Sequence, residues 1–341
     1  MTALERIWFG DDALAAAARV ALWPVATAFG AAAAARGALY DAGVLATRGS
    51  AIPCVGVGNL TVGGTGKTPF AAWLAGRLRS QVPPAVVLRG YGSDEAAVHR
   101  HLNPGVLVLE SPDRVSAVRE AQARGARVAI LDDAFQHRRI ARMANIVLVS
   151  VEQLSRPQRL LPAGPWREPL HAARRAGLVV LTRKSASAAE AVAAIRLVEA
   201  AVPNVPIASI HLAPLGLERV GHAESRPLAS LKGAKVRAVA AIGEPAAFQR
   251  QLEHHGAQVA LTAFRDHHAY TADDIRLLAT STPDDSLVVC TLKDAVKLNP
   301  LWPPSRGLWY VSQQLVVEQG AEQLDRLVAS VVERASSAAA G

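Results

Sequence analysis

Cysteine is nearly absent from the 341 residues: Cys54 and Cys290 stand far apart and in no metal-binding spacing. A disulfide framework and a cysteine zinc site are thereby excluded, and the two read as small buried apolar side chains in a reducing compartment. Aromatic residues make up only 5% of the chain, with no base-stacking motif among them, so a nucleic-acid-binding protein is not expected. Lysine is scarce as well, six of 37 basic residues, the rest being arginine. No run of apolar residues is long enough to cross a bilayer. The longest, Val20 to Ala35, would cover about 24 Å as a helix against a hydrocarbon core of roughly 30 Å. Pro24 interrupts it and acidic residues precede it, unlike a secretory signal. Its Trp23 and Phe29, with Leu39 and Tyr40 beyond, suit a membrane interface; an Ala-rich core helix fits the same residues.

Half the residues are apolar and 19% are charged, the balance of a folded chain long enough for two cores. The net charge of +8 is unevenly spread: residues 138–183 hold nine arginines against Glu152 and Glu168. The planar fork of arginine matches phosphate, so an anionic partner near this segment is one reading and a solvated basic face the other. Short apolar runs alternate with helical patterns, which predicts an α/β fold, a wound and mostly parallel sheet of the phosphate-loop NTPase kind. The expected division is an N-terminal helical segment at 1–45, a nucleotide-binding domain at 46–170, a second, smaller α/β domain at 171–333 closing over the nucleotide, and a disordered tail at 334–341. The last helix is allowed to pack back on the first domain.

The chemistry concentrates after the first strand, in Gly58-Asn-Leu-Thr-Val-Gly-Gly-Thr-Gly-Lys67-Thr68. Glycines at a strand-to-helix turn let backbone N–H groups point inward at phosphate oxygens, and the helix N-terminus adds partial positive charge. Gly63, Gly64, Thr65, Gly66, Lys67 and Thr68 are therefore the nucleotide-binding candidates. Lys67 would reach the terminal phosphates, and Thr68 would ligate Mg²⁺. Thr61 stands where the strict pattern has glycine. Asp132 and Asp133, closing the apolar strand that begins at Val128, sit where such folds place a metal-organising acid. The guanine-reading pattern is missing: Thr291-Leu292-Lys293-Asp294 puts lysine beside the acid, which points to ATP. These residues alone leave open a soluble small-molecule kinase and a nucleotide-hydrolysing switch.

With these motifs in place, the chain resembles the tetraacyldisaccharide 4′-kinase family of Gram-negative bacteria along nearly its whole length. The motifs run in the family's order: Gly58 to Pro69, Leu88-Arg-Gly-Tyr-Gly92, Ser111-Pro-Asp-Arg114, Leu131-Asp-Asp-Ala-Phe-Gln-His-Arg138, Leu161 to Pro169, Phe264-Arg-Asp-His-His268 and Thr291-Leu-Lys-Asp-Ala-Val296. The resemblance implies transfer of the ATP γ-phosphoryl group to the 4′-hydroxyl of an acylated glucosamine disaccharide 1-phosphate, by a monomer at the cytoplasmic face of the inner membrane. It casts Asp94 as the base, His267 as the residue that orients or tunes it, and Lys67 as the phosphate cation. It further implies Asp133 with Thr68, and Glu95 or Glu168, around Mg²⁺, and Asp132, Gln136 and Arg167 toward the substrate. Departures are Ser93 for glycine, Ala134 for glycine, Arg265 for proline, Leu292 for glutamate and a shortened stretch between Tyr91 and Asp94. Ala134 fits only if its φ is negative.

Overall fold

The computed structural model describes residues 3–90 and 93–340, so Tyr91 and Gly92 of the Leu88–Gly92 motif lie outside the described residues. In chain order the elements are α1 (Ala3–Phe9), α2 (Ala13–Asp41), β1 (Cys54–Asn59), α3 (Lys67–Arg79), β2 (Pro84–Leu88), α4 (Ser93–Leu102), β3 (Leu107–Glu110), α5 (Arg114–Ala123), β4 (Val128–Leu131), β5 (Ala144–Ser150), α6 (Val151–Leu154), β6 (Leu178–Arg183) and α7 (Ala188–Ala201). There follow β7 (Ile207–Arg219), β8 (Ser225–Pro227), β9 (Lys235–Ala240), α8 (Pro245–His254), β10 (Gln258–Ala263), α9 (Ala272–Ser281), β11 (Leu287–Cys290), α10 (Leu292–Leu298), β12 (Leu308–Gln319) and α11 (Ala321–Ala340).

Two compact units emerge. Of the described residues, the first comprises 3–90, 103–211 and 316–340, and the second 93–102 and 212–315. The sequence puts a boundary near 170; in the structure the chain changes units inside β7 and again inside β12. Helix α4, which the sequence pattern does not announce, goes with the second unit. Its ten residues begin with Asp94 and Glu95 in the first turn and end with His99, Arg100 and His101, charges that match the helix dipole at both ends.

In the first unit the parallel strands run in the order β6-β5-β1-β4-β2-β3, with the start of β7 beside β6. Strands β1 and β4 are buried along their whole length, so they read as unbroken apolar runs rather than as an alternation. Because β4 pairs with β1 (Gly56 opposite Leu131), both strands end at one edge, and the turns after them meet. Two apolar clusters cover the sheet: β1, β2, β4 and α5 contribute to one, and β5, β6, α6 and α7 to the other. Helix α11 joins this unit through Arg77–Asp325 (2.6 Å) and Arg127 donating to the Ala335 carbonyl. It stays helical through Ala340, where the sequence suggests a frayed tail from 334, because alanine is the strongest helix former.

Helix α2 also belongs to the first unit. It continues unbroken through Pro24, and only Ala15 and Ala26 of its residues are buried. Val20 and Trp23 are 74% and 67% exposed. A core helix would hide these side chains. Among the described residues it is the one helix long and apolar enough to cross a membrane. Its ends are tied down: Asp12 caps the Ala15 amide, and Arg138 bonds the Gly37 carbonyl and the Asp41 carboxylate.

The second unit is a smaller parallel sheet, β10-β9-β11-β12, with the antiparallel pair β7–β8. Strand β9 shows why helices cover both faces. Val236, Ala238 and Ala240 point into a cluster with Phe248 and Leu252 of α8, while Val239 points into one with Ile275, Leu278 and Leu298. Both cysteines are free and buried.

Candidate active site

The turn between β1 and α3 has the backbone that its glycines allow. Gly63 and Gly66 take φ of 106° and 81°, and Gly66 is the N-cap of α3, so Lys67 and Thr68 open the helix. Three side chains brace the loop. Asn59 Nδ2 donates to Thr65 Oγ1 (3.0 Å), Thr182 donates to the Thr65 carbonyl (2.9 Å), and Lys184 Nζ donates to the Gly64 carbonyl (2.7 Å). Thr61 earns its departure from glycine: it is buried and its hydroxyl bonds Gln153 of α6.

At the end of β4, Asp133 adopts φ of 49°, in the left-handed region. Among the described residues only one other non-glycine residue does so, His267. Such conformations cost roughly 1–3 kcal/mol and persist where the surroundings impose them. Here Arg114 imposes it: fully buried, it bonds the Asp132 carbonyl (2.6 Å) and the Asp133 carbonyl (3.2 Å), while Asp132 Oδ1 accepts from the Asp133 amide. The strain thus falls on Asp133 and spares Ala134, whose φ is not positive, so alanine fits in place of the family's glycine. Gly58 is required for a different reason. A side chain there would meet the Phe135 amide nitrogen at 2.5 Å.

The Asp133 carboxylate, 34% exposed, faces Lys67 Nζ at 3.6 Å and Arg167 at 3.1 Å. Burial opposes its ionisation, but Lys67 and Arg167 outweigh burial and hold its pKa below the ordinary value. Arg167 therefore pairs with Asp133. Gln136 bonds the Asn59 carbonyl and Glu168, and Glu168 is further paired with Arg175 at 2.8 Å. An ionised carboxylate and a hydroxyl at the first helical turn are hard oxygen donors of the kind that Mg²⁺ takes, and Asp133 and Thr68 are such groups. Glu168, already doubly engaged, is less free to do so. Among the described residues no cluster of three or more His, Cys, Asp or Glu gathers for a metal.

In the second unit, Asp94 and His267 meet across 173 residues of sequence, with Nδ1 of His267 2.9 Å from Asp94 Oδ2. Asp94 is 4% exposed and its other oxygen accepts from the Glu95 amide. Burial pushes its pKa up, yet the hydrogen bond and charge of His267, with Lys293 and Lys297, bring it down to about 2. His267 moves the other way: its hydrogen bond to Asp94 raises its pKa against the effect of burial. A proton delivered to this pair rests on the imidazole. Glu95 lies 3.6 Å from Lys293. The acid of Thr291-Leu-Lys-Asp294 is wholly buried at the start of α10, where it bonds the Thr291 hydroxyl. Thr291 is the N-cap of that helix, and the buried Asp294 carboxylate cannot read a base.

Sequence reasoning missed Lys184, Gln153 and Thr182, which brace the loop from positions with no local pattern of their own, and gave Asn59, inside the quoted motif, no role. Arg114 lay inside a recognised motif but gave no sign of which carbonyls it would hold.

A glycine turn leading a helix, backed by a lysine-paired acid at the end of the adjacent strand, defines a phosphate-loop α/β protein. The chain belongs to the tetraacyldisaccharide-1-P 4′-kinase family, whose model matches residues 18–105 and 93–333. A tetraacyldisaccharide 4′-kinase of Anaeromyxobacter dehalogenans is 38% identical, over 96% of this chain and 95% of that protein. One from Chlorobaculum parvum is 34% identical over 92% and 94%. LpxK of Aquifex aeolicus, whose crystal structure is a complex with ATP, superposes with a TM-score of 0.73 at 26% identity, covering 92% of this chain and 99% of that one.

Proposed function

We propose that this protein transfers the γ-phosphoryl group of ATP to the 4′-hydroxyl of a tetraacylated glucosamine disaccharide 1-phosphate, in lipid A synthesis. The observation that carries the proposal is the convergence of Lys67 and Asp133 at the glycine turn (3.6 Å), within a chain of the 4′-kinase family. Phosphoryl transfer needs positioning and charge neutralisation more than covalent help. Amides of Gly63–Gly66 and Lys67 hold the phosphates; Thr68 and Asp133 would hold Mg²⁺, which when bound neutralises charge on the β- and γ-oxygens. The family resemblance assigns Asp132, Gln136 and Arg167 to the substrate, Arg167 from its pairing with Asp133. The Asp94–His267 pair accepts the proton of the attacking hydroxyl, with His267 as its resting place.

The acceptor keeps its acyl chains in the bilayer, so the enzyme works at the surface, as a monomer on the cytoplasmic face of the inner membrane. Exposed Val20, Trp23, Val25 and Phe29 of α2 supply the apolar contact. Arginines of 138–183 add about 1 kcal/mol each where they approach anionic lipid. The test is direct: purified protein in detergent micelles, γ-labelled ATP and the disaccharide 1-phosphate should yield the labelled bisphosphate. ATP turnover indifferent to the lipid acceptor would overturn the proposal in favour of a hydrolytic switch.

A further inference from the structure

The Thr291–Val296 motif supplies Asp294, which the chemistry above leaves without a role, and its residues bond to the segments that carry His267 and Asp94. Asp294 is wholly buried at the start of α10. Its Oδ1 accepts from the Tyr270 hydroxyl (3.0 Å) and the Ala241 amide (3.2 Å), and its Oδ2 from Thr291 Oγ1 (2.7 Å). Ala241 and Tyr270 bracket the segment that carries His267. The Ala241 carbonyl accepts the His267 amide (3.3 Å), and Tyr270 packs edge-on against Phe264 and His268, which stack on one another at 4.8 Å. One turn further along α10, Lys297 bonds the His268 carbonyl (3.2 Å) and lies 3.5 Å from Asp294. On the other side Lys293 pairs with Glu95 of α4, the helix that carries Asp94.

We infer that Asp294 is a positioning residue for the transfer reaction, a buried carboxylate whose bonds to Ala241 and Tyr270 fix the backbone that presents His267 to Asp94. The inference rests on the reading of that pair as the proton acceptor. Its physical basis is the left-handed backbone of His267 (φ 58°), which needs a surrounding structure to impose it. Two of the bonds that Asp294 makes, from Ala241 and Tyr270, constrain the loop on either side of that residue, and the third anchors the carboxylate to Thr291. A burial role alone would be met by any apolar side chain, without directed acceptors on three donors.

The experiment is a double-mutant cycle on the full chain, with Asp294→Asn and His267→Gln. If Asp294 acts through His267, Asp294→Asn lowers kcat by about ten- to a hundredfold with the KM for ATP unchanged. In the His267→Gln background the same substitution then costs nothing further. Equal losses in both backgrounds would overturn the inference, as would full activity of a folded Asp294→Asn. Should that variant fail to fold, Tyr270→Phe removes one of the same bonds and carries the same cycle. If His267→Gln is itself fully active, the proton-acceptor reading fails separately. The ¹⁵N histidine spectrum then decides: a shift of the His267 ring signals in the Asp294 or Tyr270 variant upholds the positioning role, and unchanged signals refute it.

Discussion

Restoring the family's glycine at position 134 should weaken this protein. Ala134 is fully buried in the cluster formed by β1, β2, β4 and α5, and its backbone φ is not positive. Its amide bonds the Val57 carbonyl (2.9 Å) and its carbonyl accepts from the His137 amide (2.9 Å) and from Arg142 (2.5 Å), so the residue is fixed at both ends. Ala134→Gly removes a buried methyl group, about 0.8 kcal/mol. It also frees the unfolded chain at a site where alanine is unstrained, about 0.4–1 kcal/mol more. The sum, roughly 1–2 kcal/mol, corresponds to a fall in Tm of about 2–8 °C for a unit of this size. Differential scanning calorimetry of the two proteins measures it, with kinase assays alongside. A Tm that rises, or a kcat that increases several-fold, would show that alanine strains the loop and that the backbone placement of the strain on Asp133 is mistaken.

Lys67→Ala should lower kinase activity by at least about 10²–10³-fold, since it removes a cation aimed at developing phosphate charge; circular dichroism should stay unchanged. Val20→Ser with Trp23→Ser should reduce liposome flotation by roughly a hundredfold or more in affinity, given about 1.5–3 kcal/mol for each apolar side chain withdrawn from the interface. Turnover in detergent should be spared, because both side chains are exposed. The raised pKa of His267 gives a pH signature. The stability it adds is fully present below its unfolded pKa of about 6.5 and is lost as pH rises through the higher folded value. The stability gap between wild type and Asp94→Asn should therefore narrow as pH is raised from about 6 to about 9 in urea titrations; a gap that widens would reverse the assigned direction.

The phosphate loop was legible in the sequence because its chemistry is local. Gly63, Gly66, Lys67 and Thr68 are neighbours, and a left-handed turn followed by a helix needs only the right residues in the right order. Buried parallel strands were legible for a similar reason: an unbroken apolar run between glycine turns has few other fates. Helix α2 was legible as an apolar helix with two possible settings, since an alanine-rich apolar pattern suits a core and a membrane surface alike, and only the structure shows it exposed.

What only the tertiary structure decided are the contacts closed over long stretches of chain. Asp94 and His267 lie 173 residues apart, and Thr61 reaches Gln153 across 92. No periodicity encodes such pairs, because they depend on which strand ends lie side by side. The same holds for backbone strain. Sequence directed attention to Ala134, the substituted position, whereas the positive φ belongs to Asp133, held there by an arginine 19 residues upstream. Local propensity says which conformations a residue tolerates; the conformation it takes is set by hydrogen bonds from elements that folding brings to it.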